Sequence, residues 1–513
     1  MFQTIIPDFP HFCHASLLIN MSQENLKDKT IKGAAWSAVD NISGYAVTFV
    51  VGLILARLLS PDDYGLIGII TIFTAICSCF INAGFSSALI RKNQVTEADY
   101  CTVFACNLLT SVFLYLALFI TAPFIASFFS RNELTPLIRV QSLEMVIASF
   151  AIVQRTRLSK KIDFKSQAIV TITSNVLRSV VGLCMAFSGY GVWAIVGQSL
   201  TGTLMSTLLL CYFNRWVPRL YFSRNSFKEL FGFGSKLLIS DIINTLWNQC
   251  YSIVIGKYYK PATLGQYTRA IMFSGLLSNN MTYVIQRVTY PVLSEIQDDR
   301  VRLKNGYQRI IRVSMLISFF SMLMMAAVAQ PMIIVLIGPK WIDASYYLQI
   351  ICMGAMLYPL HSINLNILQI FGRSDLFLKL ELYKKGIAVI PIILGITIGI
   401  YWMLVGSVIV SFISYIINAY YSGPLLDYSI KSQITDIMPC FLISLASSSA
   451  SIGIYHFLEY LIVPQFSFWL NLAILVVTTL TGFLIALTLL KRSQRPEYQD
   501  IKYIIFRLLK NRS

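Results

Sequence analysis

Charged residues are scarce in this sequence. Asp, Glu, Lys and Arg together make up 13% of its 513 residues, whereas hydrophobic residues make up 56%. A soluble domain carries about twice that charged fraction. The composition therefore excludes a soluble globular protein and predicts an integral membrane protein with many spans.

Residues that bind metals and nucleotides are also scarce. The four histidines form no ligand set with the ten cysteines, and most of the cysteines lie one by one in apolar segments. The sequence contains neither a phosphate-binding loop nor a dinucleotide-binding glycine motif. We therefore predict that the protein is not an enzyme and holds no cofactor, and we leave open H⁺ or Na⁺ as a coupling ion.

The first twenty residues contain no Lys or Arg, so they lack the basic start of a signal peptide. Met21 and the polar residues after it form a more natural beginning. We therefore interpret residues 1–30 as an extension and expect translation to start at Met21. A short native extension is the alternative.

Fourteen apolar segments are long enough to cross a bilayer as helices, which takes about 20 residues each. They are residues 33–57, 64–90, 100–127, 137–154, 166–187, 192–213, 229–256, 264–290, 313–337, 346–370, 378–398, 401–422, 437–458 and 467–490. Charges intrude most in 137–154 and 378–398. We predict an all-α integral membrane protein with about 14 transmembrane helices.

Two stretches 200 residues apart are alike: ILARLLSPDDYGL begins at Ile54 and VIGKYYKPATLGQ at Val254. Each stretch separates two apolar segments, which indicates a duplicated bundle. The predicted parts are an N-lobe of six helices (31–213), a cytoplasmic linker (214–228) and a C-lobe of six helices (229–422). Helices 13 and 14 (437–490) have no counterpart, and a basic amphipathic tail (491–513) follows. Six helices per repeat predict parallel repeats with a pseudo-twofold axis along the membrane normal.

Basic residues predict the orientation. With the N-terminus inside, the inner segments hold 31 Lys and Arg and the outer links hold 5. Cytoplasmic loops carry such an excess, so both termini are expected in the cytoplasm and the tail on the anionic inner leaflet. This bias explains most of the net charge of +17, and binding to nucleic acid is not needed to account for it.

Eight charged residues fall within the predicted spans, where a charge facing lipid is costly. They are Arg139, Arg178, Lys236, Arg269, Arg287, Asp40, Glu144 and Asp241. The basic excess suits an anionic cargo such as a diphosphate. Structural pairing and snorkelling remain open, above all for Arg139, Arg269 and Arg287 near helix ends.

The acidic members of this set predict a second role. Asp241 lies within one position of the repeat mate of Asp40. These two residues and Glu144 are candidates for coupling to protons or sodium, or for pairing the lobes.

Several ordered blocks resemble a known family. KGAAWS (32–37), LARLLSPDDYGL (55–66) and FINAGFSSALIRK (80–92) are similar to the amino-terminal signature of polysaccharide transporters of the multidrug/oligosaccharidyl-lipid/polysaccharide flippase superfamily. LGQYTRA (264–270), GPKWIDASYYLQI (338–350) and FGRSDLFLKLE (371–381) resemble its lipopolysaccharide and colanic acid exporter branch. The resemblance runs from about residue 30 to 430.

The resemblance implies a flippase that moves polyprenyl-diphosphate-linked oligosaccharides from the inner to the outer leaflet of the bacterial inner membrane. Two lobes would alternate access to a cationic central cavity, and a polysaccharide polymerase is an expected partner besides membrane lipid. By their placement, Lys236, Arg178, Arg269 and Arg139 are the candidates for binding the substrate.

Three other classes fit less well. A drug or cation antiporter of the same superfamily would favour acidic residues in its cavity, whereas the charges within the spans are basic by 5 to 3. A polymerase or ligase needs a large outer loop, and the longest outer link here has about nine residues. A scaffolding protein would not need charges within both lobes.

Overall fold

A computed structural model describes residues 46–493 except 83, 220 and 462–467, together with residues 36, 44 and 499. The described part is helical and contains no strand. The all-α prediction is therefore confirmed. The extension before residue 31, Met21, Asp40, the KGAAWS block apart from Trp36, and most of the tail lie outside the described residues.

The chain forms two compact units. Unit 1 comprises Met1–Leu59 and Ile69–Gln249, and unit 2 comprises Ser60–Gly68 and Cys250–Ser513. The predicted lobe boundary at residues 214–228 stays a prediction. The helices up to the end of unit 1 are α1 (Ala46–Leu58), α2 (Pro61–Asn82), α3 (Phe85–Arg91), α4 (Glu97–Phe128), α5 (Leu134–Gln141), α6 (Leu143–Lys160), α7 (Phe164–Phe187), α8 (Trp193–Asn214) and α9 (Arg224–Tyr258).

Unit 2 continues with ten helices and two short 3-10 turns within the described residues. The helices are α10 (Pro261–Glu295), α11 (Arg300–Ala327), α12 (Ala329–Ile337), α13 (Ile342–Ala355), α14 (Tyr358–Ile370), α15 (Ser374–Ile387), α16 (Val389–Thr397), α17 (Ile400–Ser422), α18 (Ile430–Leu461) and α19 (Phe468–Arg492). The 3-10 turns are Pro339–Trp341 and Gly423–Leu426.

Each predicted span falls on a helix or on a pair of consecutive helices. For the first span, 33–57, this holds for the part that the structure describes. Ten of these are long and apolar enough to cross a membrane. The other four predicted spans lie on α1, α9, α10 and the α15–α16 pair. Only part of the first span is described, and α9 and α10 carry many polar residues along 35 residues each. Membrane crossing by these four stays a prediction.

Prolines account for three interruptions of the helices in unit 2. Pro331, Pro359 and Pro391 stand four residues after the ends of α11, α13 and α15, respectively. A proline has no N–H for the carbonyl four residues earlier, and its ring clashes with that carbonyl. At Pro391 the result is the break between α15 and α16. The break between α5 and α6 at Ser142 has no such proline.

Glycine contacts bring two helices together in unit 1. Gly84 has a left-handed conformation (φ 68°) between α2 and α3, and a Cβ there would lie 2.8 Å from the Cα of Gly234 on α9. Small residues permit such close backbone approaches between membrane helices. Beside this contact, Phe85, Leu89 and Leu230 are buried in one apolar cluster.

The repeated motifs meet each other in unit 2. A Cβ at Gly65 would lie 1.9 Å from the carbonyl oxygen of Pro261, and a Cβ at Gly265 would lie 2.0 Å from that of Pro61. The contact is reciprocal, because each motif supplies one glycine and one proline. We call it the α2–α10 crossing.

A polar and aromatic layer surrounds the α2–α10 crossing. The ring of Tyr64 meets that of Trp341 edge to face, with centroids 5.4 Å apart. Gln266 donates to the carbonyl of Lys340 at 2.7 Å and accepts from the amide of Ala344 at 3.0 Å. These contacts fix the turn before α13 against the first turns of α10.

Candidate functional site

A polar cavity of about 510 Å³ lies within unit 1. The helices α2, α3, α6, α7 and α8 contribute its walls. The ionisable residues in its lining are Arg155, Arg178 and Glu144, and most of the other lining residues carry hydroxyl or amide groups. Such a set of polar groups inside an apolar bundle marks a binding site or a path for polar cargo.

Glu144 is held by hydrogen bonds from α5 and α8. It lies in the first turn of α6, directly after the break at Ser142. Its carboxylate accepts from Ser199 Oγ at 2.7 Å, from Thr203 Oγ1 at 2.8 Å and from Gln141 Nε2. Ser199 and Thr203 are four residues apart and therefore share one face of α8. Glu144 thus connects α6 to α8 and fixes one wall of the cavity.

Arg178 extends along α8 from the middle of α7. A Cβ at Gly202 would lie 3.0 Å from Arg178 Cδ and 3.1 Å from Arg178 Cβ, so the aliphatic stem packs where α8 has no side chain. Within the described residues the guanidinium forms neither a hydrogen bond nor an ion pair. Arg178 therefore brings a cation with five N–H donors to the cavity. The Glu144 carboxylate in the same lining attracts this cation without forming an ion pair with it.

Arg155 is the second cation of the cavity. Its side chain is exposed, and its Nη2 donates to Ser206 Oγ at 3.4 Å. Arg155 directly follows the predicted span 137–154, so the sequence placed it in an inner loop. It was therefore not among the predicted site residues. A stripe of Thr171, Asn175 and Arg178 along one face of α7 is the signal that could have located the cavity.

The remaining predicted site residues lie elsewhere. Arg139 donates from Nε to the carbonyl of Phe119 at 3.2 Å and covers the Phe119 ring at 4.4 Å. Lys236 and Asp241 are both exposed on α9 and form no ion pair with any described residue. These residues do not line the cavity of unit 1, and their roles stay predictions.

Arg269 belongs to the α2–α10 crossing. Its guanidinium lies 3.7 Å from the centroid of the Tyr64 ring and 6.0 Å from that of Trp341. Its Nη1 contacts the sulfur of Met272 at 3.1 Å. A cation over aromatic rings is stabilised by their quadrupoles, so in this structure the aromatic layer accounts for the placement of Arg269.

Unit 2 contains a related polar contact between the helices that the predicted repeat matches to α6 and α8. His361 follows the break between α13 and α14, and its Nε2 lies 3.1 Å from Ser411 Oγ on α17. In unit 1, Glu144 follows a break and bonds hydroxyl groups on α8. In each unit an ionisable group after a helix break thus contacts a hydroxyl-bearing helix, Glu144 on α8 and His361 on α17.

Residues 54–346 match the family described as "Polysaccharide biosynthesis protein". The chain belongs to this family. Teichuronic acid biosynthesis protein TuaB of Bacillus subtilis is 24% identical over 439 residues, which are 84% of this chain and 90% of that protein. Lipopolysaccharide biosynthesis protein WzxC of Escherichia coli is 24% identical over 429 residues, 82% of this chain and 86% of that protein. The resemblance noted from the sequence blocks is confirmed at the level of the family.

Solved structures show the fold of this polysaccharide biosynthesis protein. The lipid II flippase MurJ in an inward closed conformation superposes with a TM-score of 0.68 at 15% identity, covering 90% of this chain and all (100%) of that chain. An inward-facing multidrug resistance MATE transporter of the MOP superfamily gives 0.57 at 18% identity, covering 75% and 94%. The fold is therefore the helical bundle that these membrane proteins share.

Proposed function

We propose that this protein flips polyprenyl-diphosphate-linked oligosaccharides, the repeat units of a surface polysaccharide, across the bacterial inner membrane. Membership of the polysaccharide biosynthesis family supports the biological setting. The observation that carries the proposal is the polar cavity of unit 1 inside an apolar helical bundle. It holds the Arg178 guanidinium, which has no hydrogen-bond or ion-pair partner among the described residues. A flippase moves its substrate without making or breaking covalent bonds.

The chemistry of the cavity suits both parts of such a headgroup. Each sugar hydroxyl that enters hydrocarbon without a partner costs a few kcal/mol. The hydroxyl and amide groups that line the cavity, among them Asn82, Asn175 and Ser206, can replace the water that these hydroxyls lose. The Arg178 guanidinium can pair with a phosphate or another anionic group through two parallel hydrogen bonds.

The direction and the energy source are part of the same proposal. The excess of Lys and Arg in alternate links supports cytoplasmic termini and export from the inner leaflet. Glu144 is engaged by three hydrogen-bond donors, which supports a structural role within unit 1. Asp241 is exposed and unpaired among the described residues, so it is the better candidate for coupling to H⁺ or Na⁺. A polymerase would receive the product at the outer face.

A drug or cation antiporter of the same superfamily is the rival function. Its cargo is a cation, which a site with unpaired carboxylates would favour. The cavity instead holds two guanidinium groups and one carboxylate, and that carboxylate is already hydrogen bonded. The charge of the site favours an anionic cargo.

Flipping by purified protein in proteoliposomes tests the proposal. The substrate is a fluorescent prenyl-diphosphate oligosaccharide, and the test variant is Arg178→Met, which keeps the stem that packs on Gly202. Losing one hydrogen-bonded charge pair costs about 1.5–3 kcal/mol, so we expect the flipping rate at low substrate concentration to fall about tenfold or more. Arg131→Met is the matched control, because Arg131 lies between α4 and α5 and outside this cavity, and it should flip normally.

The outcomes separate the function from the site. Flipping by the wild type and loss in Arg178→Met support both. Equal flipping by Arg178→Met and the wild type would retain the function and refute the role of the cavity. Export of cationic dyes without flipping would refute the function in favour of the antiporter. An imposed proton or sodium gradient, applied to the wild type and to Asp241→Asn, tests the coupling ion.

A further inference from the structure

Two cavities follow one another along α17 and α18 in unit 2, and only the second has charged residues in its lining. The first has a volume of about 230 Å³ and is lined by side chains such as Phe412, Ile416 and Met438, with no polar surface. The second has a volume of about 790 Å³ and is lined by Arg373 and Lys431 among others. The two do not share lining residues with the polar cavity of unit 1.

The register of the helices shows that the cavities are neighbours. On α17, Ile416 lines the apolar cavity and Ala419 and Tyr420, one turn later, line the polar one. On α18, which runs back, Lys431 lines the polar cavity and Ile434 the apolar one. The two cavities therefore lie next to each other along α17 and α18, and we call them together the α17–α18 seam.

The polar end of the seam carries two cations, Arg373 and Lys431, and one carboxylate, that of Asp427. Lys431 is exposed and has no ion-pair partner among the described residues. Arg373 pairs with Asp375 at 3.3 Å, but both side chains are about half exposed, at 48% and 57%, and such pairs contribute little. Lys304 donates to the carbonyl of Asp427 at 2.8 Å and so adds a third cation at this end.

The apolar end of the seam is open at the side. Phe412 is 42% exposed, Ile416 49% and Met438 42%. In a bilayer such side chains meet hydrocarbon. In the orientation predicted from Lys and Arg, the polar end lies at the cytoplasmic face. The apolar end then points from there towards the middle of the membrane.

We propose that the α17–α18 seam binds an anionic glycerophospholipid of the inner leaflet, with its phosphate near Arg373 and Lys431 and part of an acyl chain in the apolar cavity. The order of the two cavities matches the order of headgroup and chain in such a lipid. Anionic lipids are abundant in the cytoplasmic leaflet, and each Lys or Arg near its surface strengthens their attraction. This site is separate from the cavity proposed for the transported headgroup, and the inference does not rest on the flippase function.

Native mass spectrometry of the purified full-length protein tests the inference. The probe is dioleoylphosphatidylglycerol, and dioleoylphosphatidylcholine supplies the same chains without net charge. About 1 kcal/mol per basic residue corresponds to about fivefold in affinity, so Arg373→Gln and Lys431→Gln should each weaken binding about fivefold. Lys379→Gln, on the same helix as Asp375 and outside both cavities, is the matched control and should bind as the wild type does.

Met438→Trp tests the apolar end without changing any charge. The larger side chain fills the apolar cavity and should reduce binding of the same lipid, and it keeps the inference testable if a charge variant fails to fold. Equal binding of the choline lipid, or binding untouched by all these variants, would overturn the inference. Undecaprenyl phosphate is the competitor: if it displaces the glycerol lipid at equal concentration and needs the same residues, the occupant is the carrier lipid and our assignment is wrong.

Discussion

The α2–α10 crossing makes a prediction about two glycines. Replacing Gly65 by Ala puts a methyl group where the carbonyl oxygen of Pro261 is only 1.9 Å away, and replacing Gly265 puts one 2.0 Å from the carbonyl oxygen of Pro61. Backbone carbonyls of helices cannot turn aside as a side chain does. Each Gly→Ala change therefore has to push the two helices apart.

The structure gives the size of this effect. Ordinary contact begins at 3.4 Å, so the helices must separate by roughly 1.5 Å before attraction replaces repulsion. Overpacking of this kind costs about 1–3 kcal/mol. The better helix propensity of Ala offsets at most about 1 kcal/mol. We expect both Gly65→Ala and Gly265→Ala to be destabilised by about 1–2 kcal/mol.

The reciprocal geometry also predicts how the two changes combine. One separation of the helices relieves both clashes, so the double variant should lose less stability than the two single variants together, with an interaction energy of about 1 kcal/mol. Unfolding in detergent micelles with increasing dodecyl sulfate measures all three. Gly232→Ala is the control, because a Cβ there meets nothing within 4 Å, and it should be neutral or stabilising. Single variants as stable as the wild type, or strictly additive losses, would refute the reasoning.

Two further changes test contacts within one unit each. Glu144→Ala leaves the hydroxyls of Ser199 and Thr203 without their acceptor, so the free energy of unfolding should fall by about 1–3 kcal/mol. Glu144→Gln keeps an acceptor and should lose less stability. The same loss in both variants would contradict this prediction. Arg269→Gln removes the cation from the face of Tyr64 and should lower the free energy of unfolding by about 0.5–2 kcal/mol. In a double-mutant cycle, Tyr64→Leu should lower it less in the Arg269→Gln background than in the wild type.

Hydropathy predicted the helices well because a spanning helix needs a long apolar run, and this requirement does not depend on tertiary contacts. It did not predict where helices break. Pro331, Pro359 and Pro391 end the helices before them, yet Pro123 and Pro291 lie inside the continuous helices α4 and α10. Whether a proline breaks a helix depends on how its neighbours satisfy the freed carbonyl, which one sequence does not state.

The cavity of unit 1 was only partly predictable. A charge inside an apolar segment is a strong signal because it is costly, and this signal identified Arg178 and Glu144. It did not show that Glu144 would be engaged by Ser199 and Thr203, because these contacts join helices more than fifty residues apart. Arg155 was assigned to a loop because its span ends nearby, although α6 continues to Lys160.

The repeated motifs carried more information than their sequence similarity suggested. Pro61 and Gly65 align with Pro261 and Gly265 without a gap, which indicated a duplication and nothing about contact. The structure shows that each glycine faces the carbonyl of the other motif's proline. A contact in which two equivalent segments exchange the same residues is isologous and self-complementary, as at a twofold axis. The proline carbonyl of each motif therefore leaves room only for a glycine in the other motif. This is a physical reason for both motifs to keep the proline and the glycine four residues apart.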